Sequence, residues 1–518
     1  MLWEKLKSDR KSIPVTAAAI LSALIMLVLF PLAFNDAFFD INRHKVSLVI
    51  SLIPPVGLFM LFAFIFRGQF SLRLRELKPA AFQLVLLCLF VLSCIVSCWR
   101  AGFESPVLTG SEGRYCGLWF MLCSCAACFM IALGTLRGRG IVFLVCLCAA
   151  AIAALGFANA MAIDPLRFYE RIRPGQQKTF MSTIGHFDFF GTYLIMCYPI
   201  AGAVCIFAER GLFRAISFFL CVCIAFGSCA ARTDSAFLGL HLACFALAAL
   251  SGNDWKRLSR AAFLWSVCLA ALPATRYALS FSSFGIDYTG LLLMLCQKNV
   301  PHVLSAGAFA AALICRFLAL KQLPAPGQKK TLRIALIAFL TAASFLAAAM
   351  VIFSTVLRDV PIGSLSSVLR FDDEWGSLRG FVYTRTLRAF EDYPLPDKLF
   401  GRGMDLTLRV LTPYFDNPAM LVGGVFNDVH SQPLQMLLTC GLFGSITFTG
   451  FYLSMLVLML RRAGDDPVLC AIAASMCAYA VVLLLNVTQP ILIGTYFPIC
   501  GLGLSRLIYL SKAGREQL

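Results

Sequence analysis

Charged residues are scarce in this sequence. Only 14% of its 518 residues are charged, 60% are hydrophobic, and the mean hydropathy is +0.82. Soluble domains contain about 45–50% apolar residues. The scarcity of charge excludes an ordinary soluble domain and predicts an integral membrane protein.

Charges are rarer still inside the apolar runs. A helix of about 20 apolar residues spans the hydrocarbon core of a bilayer. We predict an all-α polytopic membrane protein with about 14 transmembrane helices, within a range of 12 to 14. The predicted spans lie near residues 15–34, 46–66, 80–98, 116–136, 141–160, 189–208, 211–229, 235–251, 261–279, 302–320, 333–353, 434–460, 468–486 and 489–510. His241 and Arg316 are the main ionisable residues within them, and this scarcity disfavours an ion-coupled transporter, which needs intramembrane charges.

The basic residues lie mostly in short connections on one side of the predicted spans. Lys and Arg number 44 against 27 Asp and Glu, giving a net charge of +17. Because cytoplasmic loops carry the excess of Lys and Arg, we predict that both termini are cytoplasmic. The net charge then reports topology rather than nucleic-acid binding. The first apolar run lacks a small-x-small cleavage site before NDAFFD (35–40) and is interpreted as a retained span.

One connection is much longer than the others. Residues 354–432 separate predicted spans 11 and 12, and we expect them to form a large extracytoplasmic loop containing short helices. This loop divides the membrane domain into residues 1–353, with spans 1–11, and residues 433–518, with spans 12–14. No soluble domain is expected before or after these segments.

Patterns typical of metal or redox sites are weak. Most of the 22 cysteines fall within predicted spans, where a buried cysteine behaves as a small hydrophobic residue. Cys125 and Cys128 form a CxxC pattern without a partner pair. No acidic cluster of the Asp-x-Asp type stands out. We therefore expect neither a metal site nor a cofactor.

The long loop contains a basic amphipathic segment followed by a histidine. In SLRGFVYTRTLRAFEDYPLPDKLFGRGMD (377–405) a helical period places the apolar residues on roughly one face: Leu378, Val382, Leu387 and Phe390. The arginines fall largely on the other face: Arg379, Arg385 and Arg388. Two prolines and the GRG turn at 401–403 end this predicted helix. His430 then stands where the polar sequence FNDVHSQ (426–432) gives way to an apolar run.

The order of these parts resembles the O-antigen ligase and polymerase family of membrane glycan-transferring proteins. That family shows an Arg-x-x-x-aromatic helix, a Pro-Leu and Gly-x-Gly turn, and a histidine shortly before Gly-Leu-x-Gly. The matching residues here are Arg379 with Tyr383, Phe390, Pro394-Leu395, Gly401-Arg402-Gly403, His430 and Gly441-Leu442-Phe443-Gly444. Upstream, SEGRYCG (111–117) resembles a Gly-flanked arginine of the family, and STIGHFDFFGTYL (182–194) resembles its Gly-Asn-x-Asn span entry. The resemblance covers roughly residues 90 to 460.

The sequence departs from the family pattern in three places. Ser431 follows His430 where asparagine is common, and His186 and Asp188 stand where two asparagines are usual. The Ser-Arg pair that precedes the eighth span is Thr233-Asp234 here, with Arg232 displaced by two positions.

The resemblance implies a fold of the GT-C type and glycan transfer at the outer face of the bacterial cytoplasmic (inner) membrane. The implied donor is an undecaprenyl-pyrophosphate-linked glycan, the acceptor is a hydroxyl of a glycan or an envelope lipid, and membrane lipids surround the chain. His430 is the expected base, because an ordinary histidine pKa of ~6.5 leaves it neutral at working pH. Arginine binds phosphate oxygens with two donors, so the expected pyrophosphate or substrate ligands are Arg379, Arg232, Arg114 and Arg173. Secondary candidates are Arg385, Asp188 and His186.

Other interpretations compete with these assignments. His430 would also fit a structural or helix-capping histidine, and Arg379 a solvated helix face. Arg232 and Asp234 would fit a local ion pair, and Asp188 a helix cap. At the level of function, ligase and polymerase remain equivalent. A lipid-linked oligosaccharide flippase is the alternative class, although it predicts internal repeats and a charged intramembrane cavity, neither of which the sequence displays.

Overall fold

The computed structural model describes residues 2–67, 76–285, 287–415, 428–464, 466–486 and 488–515. Part of the short basic connection between the second and third predicted spans, RGQFSLRLRELK (67–78), and part of the loop predicted at 354–432 lie outside these residues. The described residues are predominantly helical. In chain order they are α1 Leu2–Leu24, α2 Ile41–Arg67, α3 Ala81–Arg100, α4 Ser105–Thr109, α5 Leu118–Leu133, α6 Arg139–Ala160, α7 Pro174–Gln177, α8 Phe187–Phe207, α9 Gly211–Ala230, α10 Asp234–Leu250, α11 Trp255–Leu279, α12 Gly290–Gln297, α13 Val300–Leu320, α14 Gln328–Thr355, α15 Ser366–Leu369, α16 Trp375–Glu391, α17 Leu395–Phe400, α18 Thr407–Leu411, α19 Gln432–Arg462, α20 Pro467–Leu485 and α21 Pro490–Arg515.

Short non-α elements complete the described secondary structure. A π turn (Ile25–Leu29) and the α-helical residues Phe30–Leu32 extend α1, and 3-10 turns occupy Lys78–Ala80, Gly363–Leu365 and Thr412–Tyr414. Two strands, β1 Phe180–Met181 and β2 Gly185–His186, form an antiparallel hairpin in which Phe180 opposes His186. This hairpin leads directly into α8.

The number of apolar helices agrees with the sequence prediction. Twelve described helices are long and apolar enough to cross a membrane, and two shorter apolar helices, α5 and α10, accompany them. Together they correspond to the fourteen predicted spans. The prediction of an all-α polytopic membrane protein is confirmed, and the segment between α14 and α19 forms short helices as expected.

The spans differ in how much of their surface other helices cover. The apolar part of α21 is buried throughout, and α8 and α20 are largely buried, so these three form the centre of the bundle. In contrast, α14 has no buried residue and α13 has almost none. Such helices face surroundings that are themselves apolar, which is the condition of a helix against lipid.

A buried lysine at the start of α2 was missed by the sequence analysis. The predicted span began at residue 46, whereas α2 begins at Ile41 and includes Lys45, which has no exposed surface. Its ammonium donates to the carbonyls of Phe30, Pro31 and Ala33 at 2.9, 2.8 and 2.6 Å. These are carbonyls left without helical partners where α1 and its extension end. Lys45 therefore provides hydrogen-bond donors to the carbonyls at the end of the first span.

Two further ionisable groups inside spans also have structural partners. His241 accepts a hydrogen bond from the indole nitrogen of Trp265 at 3.1 Å. Arg506, within α21, pairs with Asp466 at 2.6 Å where both side chains are largely buried. Asp466 also accepts from the amides of Val468 and Leu469 and so caps α20. The first contact joins the middles of α10 and α11, and the contacts of Asp466 stabilise the start of α20.

The twelfth predicted span is bent rather than continuous. Gly441, inside α19, has φ 70° and ψ −171°, values outside the helical region. The hydroxyl of Ser445 donates to the carbonyl of Pro433 at 3.0 Å, although twelve residues of straight helix would separate these positions by about 18 Å. Residues 432–440 therefore fold back against the start of the segment 442–462, and the span predicted over 434–460 contains a bend that the sequence prediction did not include.

Candidate functional site

The Gly-x-Gly turn packs against the bend in α19. A Cβ atom added at Gly401 would lie 2.1 Å from the carbonyl oxygen of Thr439, and one added at Gly441 would lie 2.5 Å from the backbone of Leu399. The amide of Gly403 donates to that Thr439 carbonyl at 3.1 Å. Both motif glycines are therefore required because two backbones touch, and each also has a positive φ.

This contact places residues 432–440, the first part of α19, against the loop 428–431 that carries His430. The side chain of Gln435 accepts from the amide of Val429 at 3.2 Å and donates to the hydroxyl of Thr407. The amide of Gln435 donates to the carbonyl of Ser431 at 2.8 Å. The loop 428–431 is thus held in place by the side chain of Gln435 and by the backbone at the start of the helix.

His430 occupies a constrained position in that loop. Its φ of 61° lies in the left-handed region, which costs a non-glycine residue energy and is common at functional sites. Its amide donates to the Asp428 carboxylate at 2.7 Å, and its ring Nδ1 lies 3.0 Å from the Asp428 carbonyl. Because a carbonyl only accepts, this bond requires the proton on Nδ1, and the imidazole's lone pair then lies on Nε2.

Asp428 belongs to a buried charge network that sequence reasoning missed. Arg114 is 2% exposed and donates to Asp405 at 2.8 Å, to Asp428 at 2.5 Å and to the carbonyl of Thr488 at 3.1 Å. The amide of Thr488 donates to Asp428 at 3.2 Å. Burial raises the pKa of Asp405, and the charge of Arg114 opposes that effect. The network joins the loop after α4, the Gly-x-Gly turn, the His430 loop and the chain after α20.

This network changes the interpretation of Arg114. We predicted it as an outer ligand of pyrophosphate, but its guanidinium is enclosed by two carboxylates and a carbonyl. A burial this complete is stable only because the charge is paired. The geometry therefore favours a positioning role for Arg114, which fixes the Asp428 carboxylate that binds the amide of His430. The sequence contains one indication of this network, Asp405, which ends GRGMD. No residue near Asp405 in the sequence indicated that Arg114 is its partner.

Helix α16 forms one wall of the site. The hydroxyl of Tyr383 donates to the carbonyl of His430 at 3.0 Å and also lies 2.8 Å from the carbonyl of Leu484. The Nε of Arg379 donates to the carbonyl of Leu485 at 2.8 Å, and its Nη1 to that of Gly376. Both side chains thus satisfy terminal carbonyls of α20. Within the described residues no acceptor meets Nη2 of Arg379.

Helix α16 is amphipathic as predicted, but its buried face differs in part from the predicted apolar face. The helix spans Trp375–Glu391, and Val382, Thr386 and Ala389 are its fully covered side chains. Leu387, predicted on the apolar face, is 45% exposed, because it lies one position beyond the i, i+4, i+7 stripe. Arg379 is only half-buried and bound to carbonyls, so the solvated-face interpretation of it is wrong.

A second wall comes from the hairpin before α8 and the turn before α10. The amide of Asp188 donates to the ring Nδ1 of His186 at 3.3 Å, so His186 caps α8 and the prediction that Asp188 caps it is wrong. Asp188 lies in the first turn, 3.5 Å from that ring. Its negative charge there complements the helix dipole.

Arg232 has an incompletely satisfied guanidinium. Its Nη2 donates to the carbonyl of Lys178 at 2.6 Å, and its guanidinium lies 5.1 Å from the centre of the Phe187 ring. Its Nε is buried and has no hydrogen-bond partner among the described residues. Like His430 it has a left-handed backbone, with φ 59°. An unpaired buried donor costs free energy, so this nitrogen is suited to a ligand's oxygen.

Asp234 does not pair with Arg232. Its carboxylate accepts from the amides of Leu291 and Leu292 at 3.3 and 3.2 Å, at the start of α12. The local ion pair considered from the sequence is therefore wrong. Thr233 caps α10 by accepting from the amide of Ala236. Asp234 instead fixes the segment between α11 and α13 beside Arg232.

The two walls meet at the end of α20, where the side chain of Asn486 donates to the hydroxyl of Thr192 in α8 at 2.8 Å. Burial lowers the pKa of His430, Arg379 lowers it further, and Asp428 and Asp188 oppose this. Burial also lowers the pKa of Arg232, which Asp188 opposes. Asp188 thus opposes the effect of burial on the pKa of both groups. His430 with a lowered pKa is neutral at pH 7, the form that accepts a proton.

The remaining candidates lie in other settings. Arg385 pairs with Asp373 at 2.9 Å and its guanidinium stacks 3.9 Å from the Phe381 ring centre. Arg173 is exposed at the start of α7. Neither is brought against His430 by a contact within the described part of the chain. In that part no group of three or more His, Cys, Asp or Glu side chains could hold a metal ion, and metal-independent transfer stays a prediction.

Comparison with known proteins identifies the segment that contains most of this site. Residues 288–449 match the family model described as O-antigen ligase. This match confirms the resemblance seen in the sequence, and it includes Arg379, Tyr383, the Gly-x-Gly turn, His430 and Gly441. The hairpin before α8, Arg114 and Arg232 lie outside it. None of the curated proteins matches the chain.

Proposed function

We propose, from the O-antigen ligase domain that residues 288–449 form, that this protein transfers a glycan from an undecaprenyl-pyrophosphate carrier to an acceptor hydroxyl. The family supports glycan transfer of the ligase or polymerase type. The donor, the acceptor and the residue roles are our proposal. The observation that carries it is a half-buried histidine with a lowered pKa beside Arg379, in the same region as Arg232 with its unpaired Nε.

His430 acts as the general base in this proposal. The acceptor oxygen attacks the anomeric carbon of the donor sugar while Nε2 of His430 takes the hydroxyl proton. The bond from the anomeric carbon to the pyrophosphate oxygen breaks, and undecaprenyl pyrophosphate leaves with the electron pair. Asp428 holds the imidazole through its carbonyl, which fixes the required tautomer.

The two arginines stabilise the leaving group. Negative charge develops on the bridging oxygen as the pyrophosphate departs, and fixed cationic donors lower the energy of that state. Arg379 offers Nη2 and Arg232 offers Nε, each without an acceptor among the described residues. Backbone carbonyls hold Nε and Nη1 of Arg379 and Nη2 of Arg232, so both guanidinium groups are oriented before the donor arrives.

The site would lie on the extracytoplasmic side, as the distribution of basic loops predicts. The membrane domains at 1–353 and 433–518 then flank the loop at 354–432 that carries α16 and the Gly-x-Gly turn. Both termini would be cytoplasmic.

Reconstitution in proteoliposomes tests the function class. Purified protein is supplied with undecaprenyl-pyrophosphate-linked glycan and a panel of acceptors, and both transferred glycan and movement of the donor across the bilayer are measured. We expect transfer to at least one acceptor, whose identity separates ligase from polymerase. Movement of the donor without transfer to any acceptor would replace this proposal with the flippase.

A further inference from the structure

A second site lies at the opposite end of the helix bundle from His430. Helix α8 begins beside His186 and ends at Phe207, and α20 begins at Pro467 and ends at Leu485, beside Arg379. Helices of 21 and 19 residues measure about 30 Å at 1.5 Å per residue. A cavity bordered by Phe207 and Pro467 is therefore at the other membrane face.

This cavity, which we term the basic cavity, has a volume of about 500 Å³ and three arginines in its lining: Arg139, Arg210 and Arg257. Among the described residues that line it, Glu209 is the one acidic side chain, so their formal charge is three minus one, or +2. The guanidinium of Arg257 lies 4.5 Å from the centre of the Phe207 ring and 3.9 Å from Asp254. Arg139 and Arg210 are exposed.

The rest of the lining is apolar and continues onto the outside of the bundle. Phe143 and Phe213 form part of the wall and meet edge to face at 5.9 Å. Phe213 is 45% exposed and the adjacent Leu212 is 73% exposed. A cationic rim joined to an exposed apolar wall matches a molecule with an anionic head and apolar chains. A free phosphate would use the rim alone.

Two helix starts add to the positive potential of the rim. Helix α6 begins at Arg139 and α9 begins at Gly211, and neither has a side-chain cap. The amides of a helix's first turn favour negative charge. They supplement the three arginines, which are the principal feature of the cavity.

We propose that the basic cavity binds an anionic phospholipid, with its phosphate among Arg139, Arg210 and Arg257 and its acyl chains along Phe143 and Phe213. Basic pockets between transmembrane helices on the cytoplasmic side suit such head groups. The predicted topology places the cavity on that side. This site is separate from the proposed transfer site and does not depend on it.

Native mass spectrometry of the purified full-length protein measures the binding. The protein is titrated with phosphatidylglycerol or phosphatidylcholine of the same acyl chains. We expect selective retention of phosphatidylglycerol, and an apparent Kd about 100-fold weaker when Arg139, Arg210 and Arg257 are all changed to alanine, at about fivefold for each charge. Equal retention of the two lipids by the unmodified protein would overturn the proposal.

A matched control removes three cations from the same face outside the cavity: Lys329→Ala, Lys330→Ala and Arg333→Ala. Their helix starts beside Gly252, whose carbonyl accepts from the amide of Gly327. This triple variant should bind phosphatidylglycerol as the unmodified protein does. An equal loss in control and cavity variants would show nonspecific charge attraction and overturn the proposal.

Two further arms guard against misfolding and against a free-phosphate ligand. A variant with lysine at all three arginine positions preserves the charges and should retain most of the phosphatidylglycerol binding. If it binds as poorly as the alanine variant, the charges do not hold the lipid and the proposal fails. Displacement of the lipid by an equal concentration of inorganic phosphate would identify phosphate, and not the lipid, as the ligand.

Discussion

Replacing Gly441 by alanine should destabilise the protein strongly. The backbone at Gly441 has φ 70° and ψ −171°, a region that costs other residues about 1–3 kcal/mol. The new Cβ would also meet the Leu399 carbonyl group at 2.5 Å, a backbone contact that no rotamer relieves. Separating the two backbones weakens the hydrogen bond from Gly403 to Thr439, worth about 1 kcal/mol. We expect a loss of about 3–5 kcal/mol in unfolding free energy.

Gly450 provides the matched control in the same helix. A Cβ there would lie 3.8 Å from the Leu86 side chain, an ordinary contact. Because alanine favours helix over glycine by about 0.5–1 kcal/mol, Gly450→Ala should be neutral or slightly stabilising. Equilibrium unfolding in mixed detergent micelles compares the two variants with the unmodified protein. A Gly441→Ala variant within about 1 kcal/mol of the unmodified protein would refute the reasoning, because the backbone contact would then be absent.

Three further predictions concern the charges of the site. Asp428→Asn leaves Arg114 buried with one carboxylate and should cost about 3–5 kcal/mol of unfolding free energy, measured by the same titration; a loss below 1 kcal/mol would contradict the network. Arg379→Ala should lower the rate of glycan transfer about 100- to 1,000-fold, whereas Arg388→Ala on the exposed face of the same helix should leave it unchanged; equal rates in the two variants would exclude Arg379 from the reaction. The transfer rate should stay constant as the pH falls from 8 and decline only below pH ~6.5, because the lowered pKa of His430 keeps the imidazole neutral to lower pH; a pH–rate profile with its inflection above 7 would contradict this.

Local patterns predicted the elements of the fold well. Runs of apolar residues located the spans, since each span must satisfy its own backbone in lipid. The period of α16 and its termination by proline and glycine were also visible in the sequence. The exposed position of Leu387 was not, because a helical period defines a stripe only to within one residue until the partner helices are known.

The bend at Gly441 was hidden for a different reason. Apolar residues continue through it, so hydropathy indicates one span, and a glycine alone does not distinguish a close helix contact from a break. The cause lies about 40 residues upstream, where Gly401 approaches the same backbone. The family motif includes both glycines, but only the structure shows that the backbones at Gly401 and Gly441 are in contact.

The site was predicted in part for similar reasons. His430 and Arg379 were proposed through the family resemblance. The structure places both beside the end of α20, and their roles stay predictions. Arg114 was identified with the wrong surroundings, and Asp428 was overlooked although it stands two residues before His430. Their pairing spans 314 residues of sequence, and no periodicity or spacing rule reports a contact of that kind.

The most direct test of the central claim is single-turnover glycan transfer by His430→Gln, with donor binding measured on the same preparation. Glutamine retains a polar side chain of comparable size but cannot accept a proton at neutral pH. The account predicts donor binding within about twofold of the unmodified protein and a transfer rate lowered about 100- to 10,000-fold, the usual contribution of a general base. Transfer at an undiminished rate would contradict the proposed role of His430.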